Sequence, residues 1–382
     1  MPHDVLLTVS GRIPPDLPGQ IERGERPLTD YVALARAFGA DLLDYGAAQA
    51  QLGAWGRLLA RIGGENLRLA WACFRLRRRY RLIFTDGEQI GLPLATLFKL
   101  AGRWPRPQHM MIAHVLSVGK KMALLDGLGL QHYIDRFVVY SSWQKQFIEQ
   151  RWSVPPDQVI QTPFMVDADF FAPGAAAASR AGLGLPDDGR PIVCSAGLEY
   201  RDYDTLLEAV AGLDVHVVLA AASPWSKHRV ALSRNRLPSN VVVRSFTQFD
   251  LRQLYALSAF VVLPLHPVAF QAGVTTLLEA MAMGKAVICT QTPGQTDVVV
   301  DGETGLYVPA HDPAGLRSAI LALLADPARA AALGRQGRQR VVDQMSLDCY
   351  ADRLNFYVQS ACAFSLAPYR ASRAGKAVIP PS

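Results

Sequence analysis

At 382 residues the chain is too long for one ordinary hydrophobic core and suits two domains. Half of its residues are hydrophobic and 19% are charged, enough to fill two cores, which excludes disorder as the default state. A formal net charge of +6 suits an anionic ligand, a membrane surface or nucleic acid equally, while five cysteines (Cys73, Cys194, Cys289, Cys349, Cys362) without any C-x-x-C spacing argue against a disulfide framework and a structural zinc site.

The start, "MPHDVLLTVSGRIPPDL", has a short apolar run ended by Gly and Pro and no basic leader, so a cytoplasmic chain without a secretory signal is expected. Strand-like runs then alternate with helical patterns: "DVLLTV", helix "LTDYVALARAFG", "ADLLDY", a long helix, "YRLIFT", helix "IGLPLATLFKLAG", "HMMIAH", a helix, "RFVVYS", helix "WQKQFIEQRW" and "QVIQTPF". That order predicts an α/β domain over 1–171, a parallel sheet with helices on both faces. Residues 172–190 are small, Gly-rich and aperiodic, and read as a linker. The alternation restarts at "PIVCSAG" and runs to "AGLRSAILALLAD", predicting a second domain over 191–346. Helices over 347–370 come last and can cross back onto the first half, and the tail from 370 reads as loosely held. Two doubly wound sheets facing one another leave a cleft where their strand C-terminal ends meet.

Chemistry-bearing residues cluster just after predicted strands. In "GLEYRDYDTLLEA", Gly197 is at a strand exit and Arg201 precedes a helix; its guanidinium can grip a diphosphate, or form an exposed pair with Asp202. "VVVRSFTQ" ends a strand at Arg244 and Ser245, whose backbone can meet a flat base. "QAGVTTLLEAMAMGKAVICT" reads as loop, helix, turn and strand. The N–H groups of Gly273, Val274 and Thr275 open that helix toward an anion, and Glu279 one turn on can accept sugar hydroxyls or simply pair within the helix. "FTDGEQIGLP" sets Asp86, Gly87 and Glu88 after another strand, where they cap the next helix or hold acceptor hydroxyls. "MMIAHVLS" puts His114 at a strand exit. The run 67–81, "LRLAWACFRLRRRYR", mixes arginines with Leu, Trp and Phe; such a helix can lie on an anionic bilayer, or be an ordinary amphipathic helix with a solvated face. No recognition motif accompanies the charge, so nucleic acid is not an expected partner.

The order "VVYSSWQKQF…VDADFF", "GLEYRDYDTLLEA", "VVLPL…QAGVTTLLEAMAMGKAVI", "TDVVVDGETGLYVPAHDPAGL" resembles the retaining nucleotide-sugar-dependent glycosyltransferases of the group 1 type, family 4, with the GT-B fold. The likeness covers nearly all of 136–330, and the first 110 residues only in outline. It implies two Rossmann-like domains, a nucleoside diphosphate sugar held mainly by the C-terminal one, a sugar, lipid or small-molecule acceptor held mainly by the N-terminal one, and no required metal. By the same resemblance Glu279 binds the ribose, His114 contacts the donor sugar, and Arg201 stands where the family places a lysine on the diphosphate. Two departures stand out. The first of the family's paired glutamates falls on Gln271, which cannot act as a base or nucleophile, and a frequent arginine beside Gly197 is Leu198. Arg12, next to Gly11 after the first strand, can supply the missing charge from across the cleft or remain an exposed loop residue. The expected activity is retaining sugar transfer; the rivals are a GT-B epimerase or phosphorylase and a non-catalytic nucleotide-sugar-binding protein.

Overall fold

The computed structural model describes residues 4–102, 106–176, 178–220 and 237–364. Residues 365–370 of the expected C-terminal helices, and the tail beyond them, lie outside the described residues.

In the first half six strands, β1 (Val5–Thr8), β2 (Ala40–Leu43), β3 (Leu82–Thr85), β4 (Gln108–Ile112), β5 (Arg136–Val139) and β6 (Val159–Gln161), pair in parallel in the order β2-β1-β3-β4-β5-β6. Strands such as "VLLT" and "LIFT" are buried along their whole length, as a parallel sheet covered on both faces requires. The helices between them are α1 (Leu17–Glu22), α2 (Asp30–Phe38), α3 (Tyr45–Leu76), α4 (Glu88–Ala101), α5 (Gly119–Leu128) and α6 (Ser142–Trp152). The second half repeats the plan with β7 (Ile192–Ala196), β8 (His216–Ala220), β9 (Val241–Arg244), β10 (Phe260–Leu263), β11 (Ala286–Thr290) and β12 (Leu306–Val308), all parallel in the order β12-β11-β10-β7-β8-β9. Its helices are α7 (Tyr203–Val210), α8 (Gln248–Leu257), α9 (Val274–Ala282), α10 (Pro313–Ala325) and α11 (Pro327–Arg340), followed by α12 (Leu347–Phe364). The chain runs outward from β7 to β9 and then returns to lay β10 on the other side of β7. The helices that follow β7 and β10 therefore pack on opposite faces of the sheet and leave a crevice at the strand ends, and those that follow β1 and β3 do the same in the first sheet.

The long helix expected before "YRLIFT" is interrupted. Gly53 (φ 56°) and Gly64 (φ 74°) take positive-φ conformations that favour glycine and break α3 into three segments. Its last segment packs inward: Leu69, Ala70, Ala72 and Cys73 are fully buried, and the Arg68 guanidinium, also buried, donates to the Tyr45 carbonyl and to Gln49 and Glu65. Phe74 is half-buried under the Arg77 guanidinium, 3.9 Å from its ring centroid. The apolar side chains of 67–81 are thus committed to the protein, and that run does not present an insertable face.

The two halves are joined twice. Val166 accepts from Leu347 N–H and donates to the Met345 carbonyl, so the outgoing and returning crossings pair with each other. Phe170, Phe171 and Leu185 sit in the core under α8 and α9. Beyond a wide π-type turn at Val341–Met345, α12 lies on the first half, where Leu347, Tyr350, Leu354 and Val358 share a core with Val5, Leu34 and Phe84. Leu354 is wholly buried there. Leu354→Ala leaves a cavity between α12 and the first sheet and is expected to lower unfolding free energy by about 2–5 kcal/mol, read by urea denaturation; a loss under about 1 kcal/mol would contradict this packing.

Candidate functional site

The loop after β7 and the loop after β10 meet over Arg201. Gly197, in a conformation that disfavours side chains (φ 94°), lets the chain turn back, and residues 201 and 265 pair as a short antiparallel bridge. Arg201 is buried, not an exposed partner of Asp202. Its Nε donates to the Ala196 carbonyl at 2.8 Å, Nη1 to the Glu199 carbonyl at 2.8 Å and Nη2 to Thr276 Oγ1 at 3.4 Å. A Cβ on Gly273 would come within 2.8 Å of the guanidinium, and one on Gly197 would collide with it. Among the described residues Arg201 has no carboxylate ion-pair partner, and burial lowers its pKa from the ordinary arginine value. Asp202 turns the other way, capping α7 through Thr205 N–H.

Gly273 (φ 70°) is the N-cap of α9 and has no side chain with which to cap it, so the first-turn amides of Val274, Thr275 and Thr276 open beside the buried cation. Val274 is buried and Thr275 exposed. Positive charge and an uncapped helix start converge there, which is the arrangement that binds an anion. One turn on, Glu279 is buried and one carboxylate oxygen accepts a 2.9 Å hydrogen bond from Tyr255 of α8. Burial pushes the Glu279 carboxyl up to about 7, the Tyr255 bond opposing that shift. Tyr255 carries no signal in the sequence, because only the packing of α8 on α9 brings it there.

Gln271 lies between the halves. Its Nε2 donates to the Tyr140 carbonyl at 3.0 Å, whereas its Oε1 is buried without a hydrogen-bond partner among the described residues. A small cavity beside it is lined by Tyr140, Gln161, Phe164, Leu278 and Asp297. Asp297 reaches over to accept from Ser142 N–H and Ser142 Oγ at the start of α6, a second tie between the domains.

On the other side of Tyr140, the His114 ring packs 5.5 Å from the tyrosine ring. His114 Nε2 is 3.0 Å from the Asp86 carbonyl, which can only accept, so Nε2 carries a proton and donates it there. The expected helix-capping role of Asp86 and Glu88 does not hold. Asp86 accepts from Thr8 Oγ1 and Ser10 N–H, tying β3 to the loop after β1, while Glu88 accepts from His114 N–H, Val115 N–H and Lys121 Nζ; α4 has no side-chain cap. Asp30, in the first turn of α2, joins this group: burial raises its carboxyl pKa, the Asp86 charge adds to the rise and His114 opposes it. The sequence pattern shows Asp30 only as an ordinary first-turn acid.

Arg244 donates to the Leu183 carbonyl at 2.7 Å, at the far strand of the second sheet, and Ser245 is exposed. Gly11 accepts from Tyr45 N–H, and the exposed Arg12 lies within the electrostatic reach of Arg68. Among the described residues Asp202, His266 and His311 form one group with donor atoms within 4.8 Å of one another, enough to hold a divalent cation. His311 Nδ1 already shares Asp202 Oδ2 at 2.8 Å.

The profile described as Glycosyl transferases group 1 matches residues 190–326, which span the Arg201 crevice and α9. A GDP-mannose-dependent alpha-(1-6)-phosphatidylinositol monomannoside mannosyltransferase of Mycolicibacterium smegmatis is 32% identical over 269 residues, 66% of this chain and 70% of that one. A D-inositol 3-phosphate glycosyltransferase of Saccharomonospora viridis is 29% identical over 266 residues, 62% of this chain and 61% of that one. The chain thus spans about three fifths of the length of such inositol phosphate relatives, 62% for the one from Segniliparus rotundus. Among solved structures, sucrose-phosphate synthase from Thermosynechococcus elongatus superposes with a TM-score of 0.66 at 20% identity, covering 97% of this chain and 99% of that one. Anabaena HepE in complex with UDP-glucose gives 0.70 at 15% identity, covering 94% and 99%. These superpositions show the GT-B fold.

Because the charged form of Glu279 is the costly one in the folded protein, its stabilising contribution is present below pH 4.5 and is lost as pH rises through about 7. Glu279→Gln is therefore expected to gain up to about 3 kcal/mol over the wild type between those limits, measured by denaturant unfolding of both proteins across pH. A difference that stays flat would show that burial does not shift this carboxyl.

Proposed function

The chain belongs to the group 1 glycosyltransferases, and on that premise we propose that it moves a sugar from a nucleoside diphosphate donor to an acceptor hydroxyl with retention at the anomeric carbon. One observation carries the reading: a buried arginine without a carboxylate partner among the described residues, at an uncapped helix start, between two glycines at which an added Cβ would crowd its guanidinium. A desolvated cation in that setting is costly unless an anion completes it, and a diphosphate fits. The UDP-glucose held by the structurally similar HepE supports a nucleotide sugar as that anion.

In this reading Arg201 and the Val274 to Thr276 amides take up the negative charge that develops as the sugar–phosphate bond breaks. Glu279, held by Tyr255, accepts the ribose hydroxyls. Gln271 Oε1 is free to accept from a hydroxyl of the donor sugar while its amide nitrogen stays on Tyr140. No carboxylate stands at 271 to form a covalent intermediate, so the leaving phosphate itself takes the acceptor proton on the face it departs from, which preserves configuration. His114, Asp30 and Asp86 line the acceptor side. The names of the relatives point to an acceptor of the inositol phosphate or glycolipid class. With Arg201 and the helix start supplying the positive charge, the reaction on this reading proceeds without a metal.

Incubation with UDP-, GDP- and ADP-sugars, with inositol phosphates or a lipid extract as acceptors, is expected to release nucleoside diphosphate from one donor, faster with acceptor and unchanged by EDTA. Arg201→Met is expected to lower kcat/KM about a hundredfold or more, and donor affinity is expected to tighten as pH rises through about 7 in the wild type but not in Glu279→Gln. Nucleotide binding without release from any donor would replace the transferase reading with that of a binding protein. Gln271→Glu sets a carboxylate against the Tyr140 carbonyl and is expected to cost about 1–3 kcal/mol of stability, seen as a lower Tm.

A further inference from the structure

The middle segment of α3, residues 54–63, is set off from its neighbours by the non-helical glycines at 53 and 64. Its sequence, "AWGRLLARIG", has an inner side made of small residues: Gly56 is buried, with Leu52 and the Arg68 side chain close against it, and Ala60 is half-buried. Helical spacing puts Trp55, Leu58 and Ile62 together on the opposite, outer side. They are 72%, 46% and 72% exposed, a burial order inverted from that of a helix in water. Arg57 and Arg61, both exposed, flank this stripe one turn apart, and the chain has no acidic residue from 45 to 64.

We propose that this face is an interfacial docking helix that seats the N-terminal domain on an anionic lipid bilayer. Trp55 and Ile62 insert at the level of the acyl boundary, and Arg57 and Arg61 meet the lipid phosphates beside them. The charge pattern selects this occupant: an apolar stripe whose charged neighbours within the segment are both cations matches a surface that is apolar beneath and negative above. No helix among the described residues is long and apolar enough to cross a membrane. The exposed Arg75, Arg78 and Arg79 at the end of α3 extend the positive field without adding inserted side chains. The inference does not depend on the sugar-transfer reading, since it concerns adsorption and not turnover.

The test is flotation of the full chain with vesicles of phosphatidylcholine, with or without phosphatidylglycerol, alongside sedimentation velocity in their absence. Wild type is expected to float with the anionic vesicles and not with the neutral ones. Both Trp55→Ser/Ile62→Ser and Arg57→Glu/Arg61→Glu are expected to reduce the bound fraction about tenfold or more, with unchanged Tm because these side chains are exposed. Equal flotation of wild type and the Trp55/Ile62 variant would overturn the proposal, as would a wild type that stays in the soluble fraction. A wild-type dimer that the same substitution dissolves would also overturn it, making this face an interface between copies of the chain.

Discussion

Burial of the Arg201 guanidinium is the constraint around which the second half is arranged. An arginine removed from water without a carboxylate must be solvated by the protein, and here the Ala196 and Glu199 carbonyls do that work from the turn that Arg201 itself closes. The same side chain fixes what its neighbours can be: residues 197 and 273 both adopt positive φ and both face the guanidinium too closely for any side chain. The α9 start is left uncapped as a result, because the residue best placed to cap it has no side chain. Cation, helix start and glycine turns are therefore one device, and changing any of them alters the others.

Much of this plan was legible in the residues. Fully buried parallel strands read as short continuous apolar runs, and their alternation with helical patterns identified two doubly wound sheets without reference to any contact. The glycines and Arg201 were visible as residue types at strand exits. What sequence could not supply was the set of contacts made across elements. Tyr255 reaches Glu279 only because α8 and α9 pack together, and Asp30 gains its character first from burial and then from an aspartate and a histidine far along the chain. Asp86 illustrates the competing pull: an aspartate just before a helix is a natural cap, yet hydrogen bonds to Thr8 and Ser10, available only once β1 and β3 pair, take its carboxylate instead. The run 67–81 showed the right mixture for a lipid surface, but burial is a property of the fold, and the fold turned its apolar residues inward.

Gln271 gives the departure from the family's acidic pair a structural meaning. A carboxylate cannot donate to a carbonyl, and the amide at this position does, across the boundary between the domains. Together with Asp297 on the start of α6, it ties the faces of the cleft at the level of Tyr140, whose ring also supports His114. Gln271 and His114, from opposite halves, are thus coupled through one tyrosine, by its backbone on one hand and its ring on the other.

The paired crossings at Val166 and Ser346 bear on how the molecule can be handled. Two backbone hydrogen bonds at Val166 hold the outgoing and returning crossings side by side. They also make the tether redundant. A protease cut in either crossing leaves the other strand, and α12 packed on the far domain, holding the pieces in register. A nicked chain of this design remains one particle under native conditions and shows its break only after denaturation.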